Sequence, residues 1–400
     1  MNTVDEALSI ILDNVEPLGD EPVTLAEAHR RILAEEIIAD MDLPPFDRAR
    51  MDGYAMRSAD AVTAPVRLRS IGEVAAGASY DGEVRPGEAI KIFTGAPVPR
   101  GADAVQKVEV TERDGDFVII REAVRPGQFI TPRASEVRRG DIVAQSGRVI
   151  GAAELAALAS FGYASLRVGQ RPRVAVISTG SELVDVAERP VGAQIRNSNC
   201  YTIAAYAEGA GAVVENLGSV EDSLPATCAA LERAAESNEV VITSGGVSMG
   251  DYDLVKAALN ELGAQIYFDK VSIRPGKPTV FAQRGTTYFF GLPGNPVSTS
   301  VTFNVFARPA IRRLQGAGDP LLPTVTAALS HSIKDASNRR SYLPGRLLIR
   351  EGRALVESLR WGGSSDLVAF MNAAALIIVN EATHAVAEGE LVEVLVLNAN

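Results

Sequence analysis

Three polar turns hold the residues best suited to chemistry: STGSE (Ser178 to Glu182), TSGGVSMGDYD (Thr243 to Asp253) and GLPGNP (Gly291 to Pro296). Each follows an apolar run and mixes glycine with hydroxyl, amide or carboxylate side chains. Glycine lets the backbone approach a ligand closely, and free N–H groups at a helix start attract anions. Ser178, Gly180 and Glu182, then Ser244, Gly245, Gly246, Ser248 and Gly250, then Pro293, Gly294 and Asn295, are therefore candidates to cradle a small charged molecule. One such turn is ordinary strand-to-helix punctuation; three at one sheet edge are not. No turn is a nucleotide fingerprint by itself: there is no GxGxxG, and the GK of SIRPGKPT lacks P-loop spacing.

Between Phe268 and Lys277 stand Lys270, Arg274 and Lys277 against the single carboxylate Asp269. The RPGKP run is stiffened by two prolines, and its Arg and Lys suit phosphate groups, Arg as a bidentate fork and Lys as a point charge. Glu182, Asp222, Asp251 and Asp253 follow strands of the same region. Oxygen ligands without His or Cys suit Mg²⁺ shared with substrate phosphates, which points to chemistry at a phosphoanhydride. Asp222 and Asp253 each also suit a helix N-cap, a common role, and for Asp222 the two readings carry equal weight.

These residues need a scaffold, and the hydrophobic pattern supplies one. From Arg171 to about Gln315, RVAVIST, AVVENLGSV, EVVITSGG, QIYFDKVSI, PTVFAQ and TYFFGLPG read as strands alternating with helices. That order predicts a doubly wound, mostly parallel sheet with helices on both faces, and ligands bind such sheets beyond the strands' carboxyl ends. Val4, Ala7, Leu8, Ile11, Leu12 and Val15 follow helical spacing, and a second helix is expected over Leu25–Ala34. Residues 42–141 are short Val/Ile runs between Gly and Pro, which predicts an inserted β domain. Gly151 to about Gly162 is helical again and is expected to return to the N-terminal helices. The expected division is thus a helical domain (1–41 with 142–170), a β insertion (42–141), the α/β domain (171–315) and a second small β domain (316–400).

The 400 residues are 46% hydrophobic and 22% charged, as in soluble globular proteins. Net charge is −11, so general nucleic-acid binding is excluded and any anion needs a local basic cluster. Two cysteines and three scattered histidines argue against both a disulfide framework and a zinc site. With neither a signal-peptide pattern nor a membrane-length apolar run, the expectation is a cytoplasmic protein.

PPFDRARMDGYAMRSAD (44–60), IFTGAPVPRGADAV (92–105), STGSEL, TSGGVSMGDYD, IRPGKPTVFA and GLPGNPVS together resemble the MoeA family of molybdopterin molybdenumtransferases, whose eukaryotic counterpart is the E domain of gephyrin. The resemblance runs over nearly the whole chain, in order. It implies four domains in a two-fold homodimer, with subunit contact near the apolar-rich N-terminal helices. It also implies an enzyme that takes molybdate and adenylylated molybdopterin, uses Mg²⁺ to cleave the pyrophosphate, and releases AMP. Transient contact with an adenylyltransferase or with cofactor-accepting proteins follows from that role. Carried over motif by motif, Asp52 and Thr94 would border the site. Asp222, Asp253, Lys270 and Arg274 would act in catalysis, Lys277, Arg339 and Ser364 in binding, and Asp222, Asp253 and Glu136 at the metal.

Several positions depart from the family pattern. TPRASEVRRG has Ala134 and Glu136 where Gly and Asp are usual, and NSN has Asn197 in place of Asp. In NRRSYLPGR, Arg339 fits, while Tyr342 replaces Phe and Pro344 stands at an Arg position, with Arg346 nearest. These changes suit a paralogue with an altered insertion step, and they keep open a carrier or scaffold that holds the pterin without turnover. A stand-alone molybdopterin adenylyltransferase would not need the outer domains.

Overall fold

The computed structural model describes residues 1–247, 253–334, 337–381, 383 and 385–397. The chain forms two compact units. One comprises Met1–Glu35, Ser146–Ala152 and Ser165–Asn400, the other Glu36–Gln145 and Ala153–Ala164.

The larger unit is built on a six-stranded sheet. Its strands lie in the order Val213–Val220, Arg173–Thr179, Val240–Ser244, Thr287–Leu292, Val280–Arg284 and Gln265–Phe268. The first three pairings are parallel and the last two antiparallel, so the sheet is mixed. Alternate residues of each strand serve opposite faces. Val174, Val176, Val240, Ile242 and Phe290 meet the helix Asn199–Gly209 and the helical run from Pro296 to Leu314. Ala175, Ile177, Val241 and Phe289 meet the helices Leu224–Ala235 and Leu254–Glu261. This two-sided cover is the doubly wound arrangement expected from the alternating elements.

The register decides where the turns go. Ser178 lies opposite Ser244, and Ser244 opposite Leu292, so the polar turns leave the sheet side by side at its carboxyl edge. A second six-stranded sheet is formed largely by strands after residue 323, with one exception: its edge strand is Ile273–Arg274, paired in parallel with Arg340–Arg350. Arg274 is thereby fixed to the C-terminal sheet, while Lys270 and Lys277 lie outside the strand.

The N-terminal region is mixed rather than helical, which corrects the sequence expectation. The helix Val4–Asn14 starts at a Thr3–Glu6 capping box, and its Val4, Ala7 and Ile11 enter the core of their own chain. Leu8, Ile10 and Leu12 of the same helix are only half-buried. The helix expected over Leu25–Ala34 is only a 3₁₀ turn at Leu25–Glu27. Arg30 adopts a left-handed φ of 65°, and Ile32 and Leu33 bridge to Val149 and Val168, so tertiary pairing overrides helical spacing. Asp20–Thr24 pairs with Ser165–Gly169. Most of the helix Ala152–Ser160 belongs to the smaller unit, where Tyr163 Oη accepts from Ile38 N at 2.9 Å.

In the smaller unit a six-stranded sheet runs Ala104–Lys107, Gly53–Met56, Glu88–Ile92, Val66–Val74, Phe117–Ile120 and Thr111–Asp114. Two apolar clusters pack on it, one around Tyr54, Met56 and Leu68 and one around Ala55, Ile90 and Ile92.

Arg340 clasps Asp5 with two hydrogen bonds, of 2.6 and 2.8 Å, joining the first helix to the C-terminal sheet. That contact holds the Asp5 carboxyl below the ordinary carboxylate range. Asp5 is largely exposed, so Asp5→Asn should cost only about 0.2–1 kcal/mol at neutral pH. A carboxyl lowered on folding adds stability above its unfolded pKa and loses it as pH falls through the lower folded value. Urea midpoints of the two proteins should therefore differ at pH 7 and converge in acid. A constant gap would remove the pair from the account.

Candidate functional site

Gly245 and Gly246 stand at the sheet edge because the turns nearly touch. Gly245 has φ 92° and donates its N–H to Leu292 O at 3.0 Å. A Cβ there would collide with the carbonyl oxygen of Thr179, and one on Gly294 would lie 3.6 Å from Gly245 Cα. Gly246, at φ 64°, brings its backbone over Thr179, whose Oγ1 would be 2.8 Å from an added Cβ.

Around this junction opens a cleft of about 590 Å³, lined by Gly180, Glu182, Asp222, Ser244, Gly245, Gly246, Pro293, Gly294 and Asn295 among others. Nearly every described turn residue proposed from sequence is thus in one wall; Ser178 lies just beneath, donating from Oγ to Asn197 Oδ1 at 3.0 Å. Ser248 and Gly250 lie outside the described residues, as does Asp251. Sequence analysis missed Thr179 and Asn199, which also line the cleft, and took Asn197 only as a departure. Their signal was weak: ordinary polar residues at a strand end and a helix start.

A second cleft of about 720 Å³ shares Pro278, Pro293 and Asn295 with the first. It is lined by Arg274, Lys277, Arg339 and Ser364, together with Lys334, His331 and Trp361, which sequence analysis did not pick out. Among its described lining residues none is acidic. Gly276 is required here: φ is 111°, and a Cβ would run into the Thr302 methyl. Arg339 donates to Ile273 O at 3.1 Å, next to the strand pairing that places Arg274. Asn295 donates from Nδ2 to Ser364 Oγ at 2.9 Å, closing the C-terminal region onto the GLPGNP turn. The two clefts are contiguous; the first carries Glu182 and Asp222 against Arg196, the second cations without a described carboxylate.

The carboxylates separate by environment. Asp222 does not cap the helix after it; Ser223 does, accepting from Ala226 N. Asp222 Oδ2 instead accepts from Ser181 N at 3.0 Å and Ser181 Oγ at 3.2 Å, tying two turns together. Asp253 is the N-cap of Leu254–Glu261, through a long 3.4 Å bond from Lys256 N. Burial pushes its carboxyl above the usual range, and Lys256 and Lys270 offset this only partly. Lys270 thus neighbours Asp253 and Asp269 and is absent from the linings of both clefts, which splits the basic cluster read from sequence.

The described residues contain no cluster of three or more His, Cys, Asp or Glu. A resident cation enclosed by protein ligands does not fit. A Mg²⁺ that completes its shell with substrate oxygens fits Glu182 and Asp222, which line the first cleft; Asp253 lines neither cleft.

Asp52, Thr94 and Glu136 lie in the smaller unit. Asp52 Oδ1 accepts from Thr94 N and Thr94 Oγ1, each at 2.7 Å, and these bonds hold its carboxyl below the usual range. Glu136 accepts from Arg48 at 3.0 Å, so it already has a protein cation.

Comparison with known proteins gives the family. Residues 2–162 match the MoeA N-terminal region (domain I and II), 175–313 a probable molybdopterin binding domain, and 326–397 the MoeA C-terminal region (domain IV). The molybdopterin molybdenumtransferase of Bacillus subtilis is 34% identical over 402 residues, covering 98% of this chain and 94% of that one. Its Haemophilus influenzae namesake is 35% identical, covering 98% of each. A solved molybdopterin biosynthesis moeA protein from Pyrococcus horikoshii OT3 superposes with a TM-score of 0.85 at 30% identity, over 99% of this chain and 100% of that one. With relatives of this identity over its full length, the chain belongs to the MoeA family, the molybdopterin molybdenumtransferases.

Proposed function

We propose that this transferase moves molybdenum from molybdate onto adenylylated molybdopterin, cleaving the pyrophosphate with Mg²⁺ and releasing AMP. One observation carries the reading: an acidic, glycine-walled cleft opens into a basic one without described carboxylates, the two meeting at Pro278, Pro293 and Asn295. The glycine wall suits close approach of the pterin and phosphate groups. Arg274, Lys277 and Arg339 suit molybdate and the phosphates, whose charge an acidic protein holds only where it concentrates cations. Asp222 and Asp253 would hold the Mg²⁺, which supplies Lewis-acid withdrawal of charge from the bridging oxygen. We also propose the division into domains at about 42, 142, 171 and 316, a cytoplasmic location and a two-fold dimer. Light scattering showing a monomer at micromolar concentration removes the dimer. The decisive assay is AMP release from adenylylated molybdopterin, expected only when molybdate is present; AMP release that ignores molybdate, or pterin binding without release, overturns the reading.

Lys277→Ala should weaken binding of adenylylated molybdopterin by about 1–3 kcal/mol, the scale of a charge-assisted hydrogen bond. The loss should shrink as salt rises. Calorimetry giving wild-type affinity at low salt would take the clamp out of the site.

Asp253→Asn keeps the cap, since Asn caps nearly as well as Asp, but removes the charge. At limiting Mg²⁺, AMP release should fall roughly tenfold or more, about 1.4 kcal/mol of transition-state stabilisation. The raised carboxyl of Asp253 takes up its proton at a higher pH than an ordinary aspartate. Lowering the pH should therefore weaken Mg²⁺ dependence early in wild type and hardly at all in the variant. Equal turnover and equal pH profiles would leave Asp253 as a cap alone.

A further inference from the structure

Two side-chain oxygens in the wall of the acidic cleft are buried and meet no hydrogen-bond partner among the described residues: Asn199 Oδ1 and Thr179 Oγ1. Their residues are 9% and 5% exposed. Neither is a loose side chain. Asn199 donates from Nδ2 to Ser244 Oγ and to the Gly294 carbonyl, both at 2.7 Å. A carbonyl only accepts, so the amide orientation is fixed and Oδ1 is the acceptor left over. Thr179 Oγ1 is pressed beneath the Gly245–Gly246 turn. Asn197, in the same wall, is turned the other way. Its Oδ1 accepts from Ser178 Oγ at 3.0 Å and Cys200 N at 3.3 Å, which leaves the amide nitrogen as the end for a ligand. Unpaired buried polar atoms are costly and rare in native proteins. Thr179 and Asn199 both line the cleft, which is the open side from which a partner can come.

We infer that Thr179, Asn197 and Asn199 are specificity-determining residues that read the hydrogen-bonding edge of the substrate's fused pyrimidine ring. The two orphan oxygens accept from ring and amino N–H groups, and the Asn197 amide donates to the ring carbonyl. A 2-amino-4-oxopyrimidine edge carries two donors and one acceptor in a row, the complement of two acceptors and one donor. A site built this way rejects an analogue that lacks the matching group, because its own buried atoms then stay unpaired. The inference rests on the pterin reading above and names the ligand atoms that the cleft recognises.

The test is calorimetric titration of the full-length chain with adenylylated molybdopterin, 6-hydroxymethylpterin and 6-hydroxymethyllumazine, in which oxygen replaces the 2-amino group. Wild type should bind the pterin at least about tenfold more tightly than the lumazine. Lumazine keeps the ring N–H, so whichever of Asn199→Ala and Thr179→Val removes the oxygen facing the 2-amino group should bring that ratio to within about twofold of one, and the other should weaken both ligands alike. Thr179→Val keeps the shape and removes an unpaired hydroxyl, so its melting temperature should match or exceed wild type. Selectivity lost from a chain that is no less stable is not structural damage. No preference in wild type, or an undiminished ratio in both variants, overturns the inference. If adenylylated molybdopterin still binds wild type in that case, only the edge assignment falls; if it does not, the functional reading falls as well.

Discussion

The site depends on how closely three backbone turns approach at the carboxyl edge of one sheet. Parallel register sets Ser178, Ser244 and Leu292 abreast, and Gly245 then has to thread between Thr179 and Gly294. No side chain fits in that gap. The glycines are therefore a steric condition for the sheet edge to close, and the cleft is what remains open beside them. The polar residues of the turns face a ligand because the backbone already fills the space behind them.

Charge is organised around the same junction. A chain of net charge −11 repels anions at long range, so an anionic substrate gains binding only at close quarters. The structure meets this by drawing Arg274, Lys277, Lys334 and Arg339 around one cavity while Glu182 and Asp222 face the adjoining one. Two elements far apart in sequence supply the cations: the RPGKP segment and the start of the C-terminal β region. Arg339, bonded to Ile273 O, is where they meet.

Much of this was legible in the sequence, and the parts that were not share a physical cause. Strand–helix alternation from Arg171 onward and the three glycine turns were readable, because both signals are local and periodic. Asp222 was ambiguous, and only the neighbouring Ser223 cap resolves it, by one residue. The failed helix at Leu25–Ala34 shows the limit of periodicity: Ile32 and Leu33 are buried, yet as bridge partners of the distant Val149 and Val168 and not on a helix face. Lys270 was grouped with Arg274 by proximity in sequence. A sharp change of chain direction before Ile273 sends the two into different neighbourhoods, and charge counting along a sequence has no means of showing that.

The edge strand Ile273–Arg274 has an evolutionary consequence. Because it pairs with Arg340–Arg350, the C-terminal β region is not a detachable cassette: part of its hydrogen-bonded framework is encoded some fifty residues before the region begins. A chimera that imports the C-terminal segment of a relative inherits foreign neighbours for the native Arg274. Exchange within the family is then smoothest when the crossover falls upstream of Ile273, so that the guanidinium and the sheet that aims it travel as one heritable block.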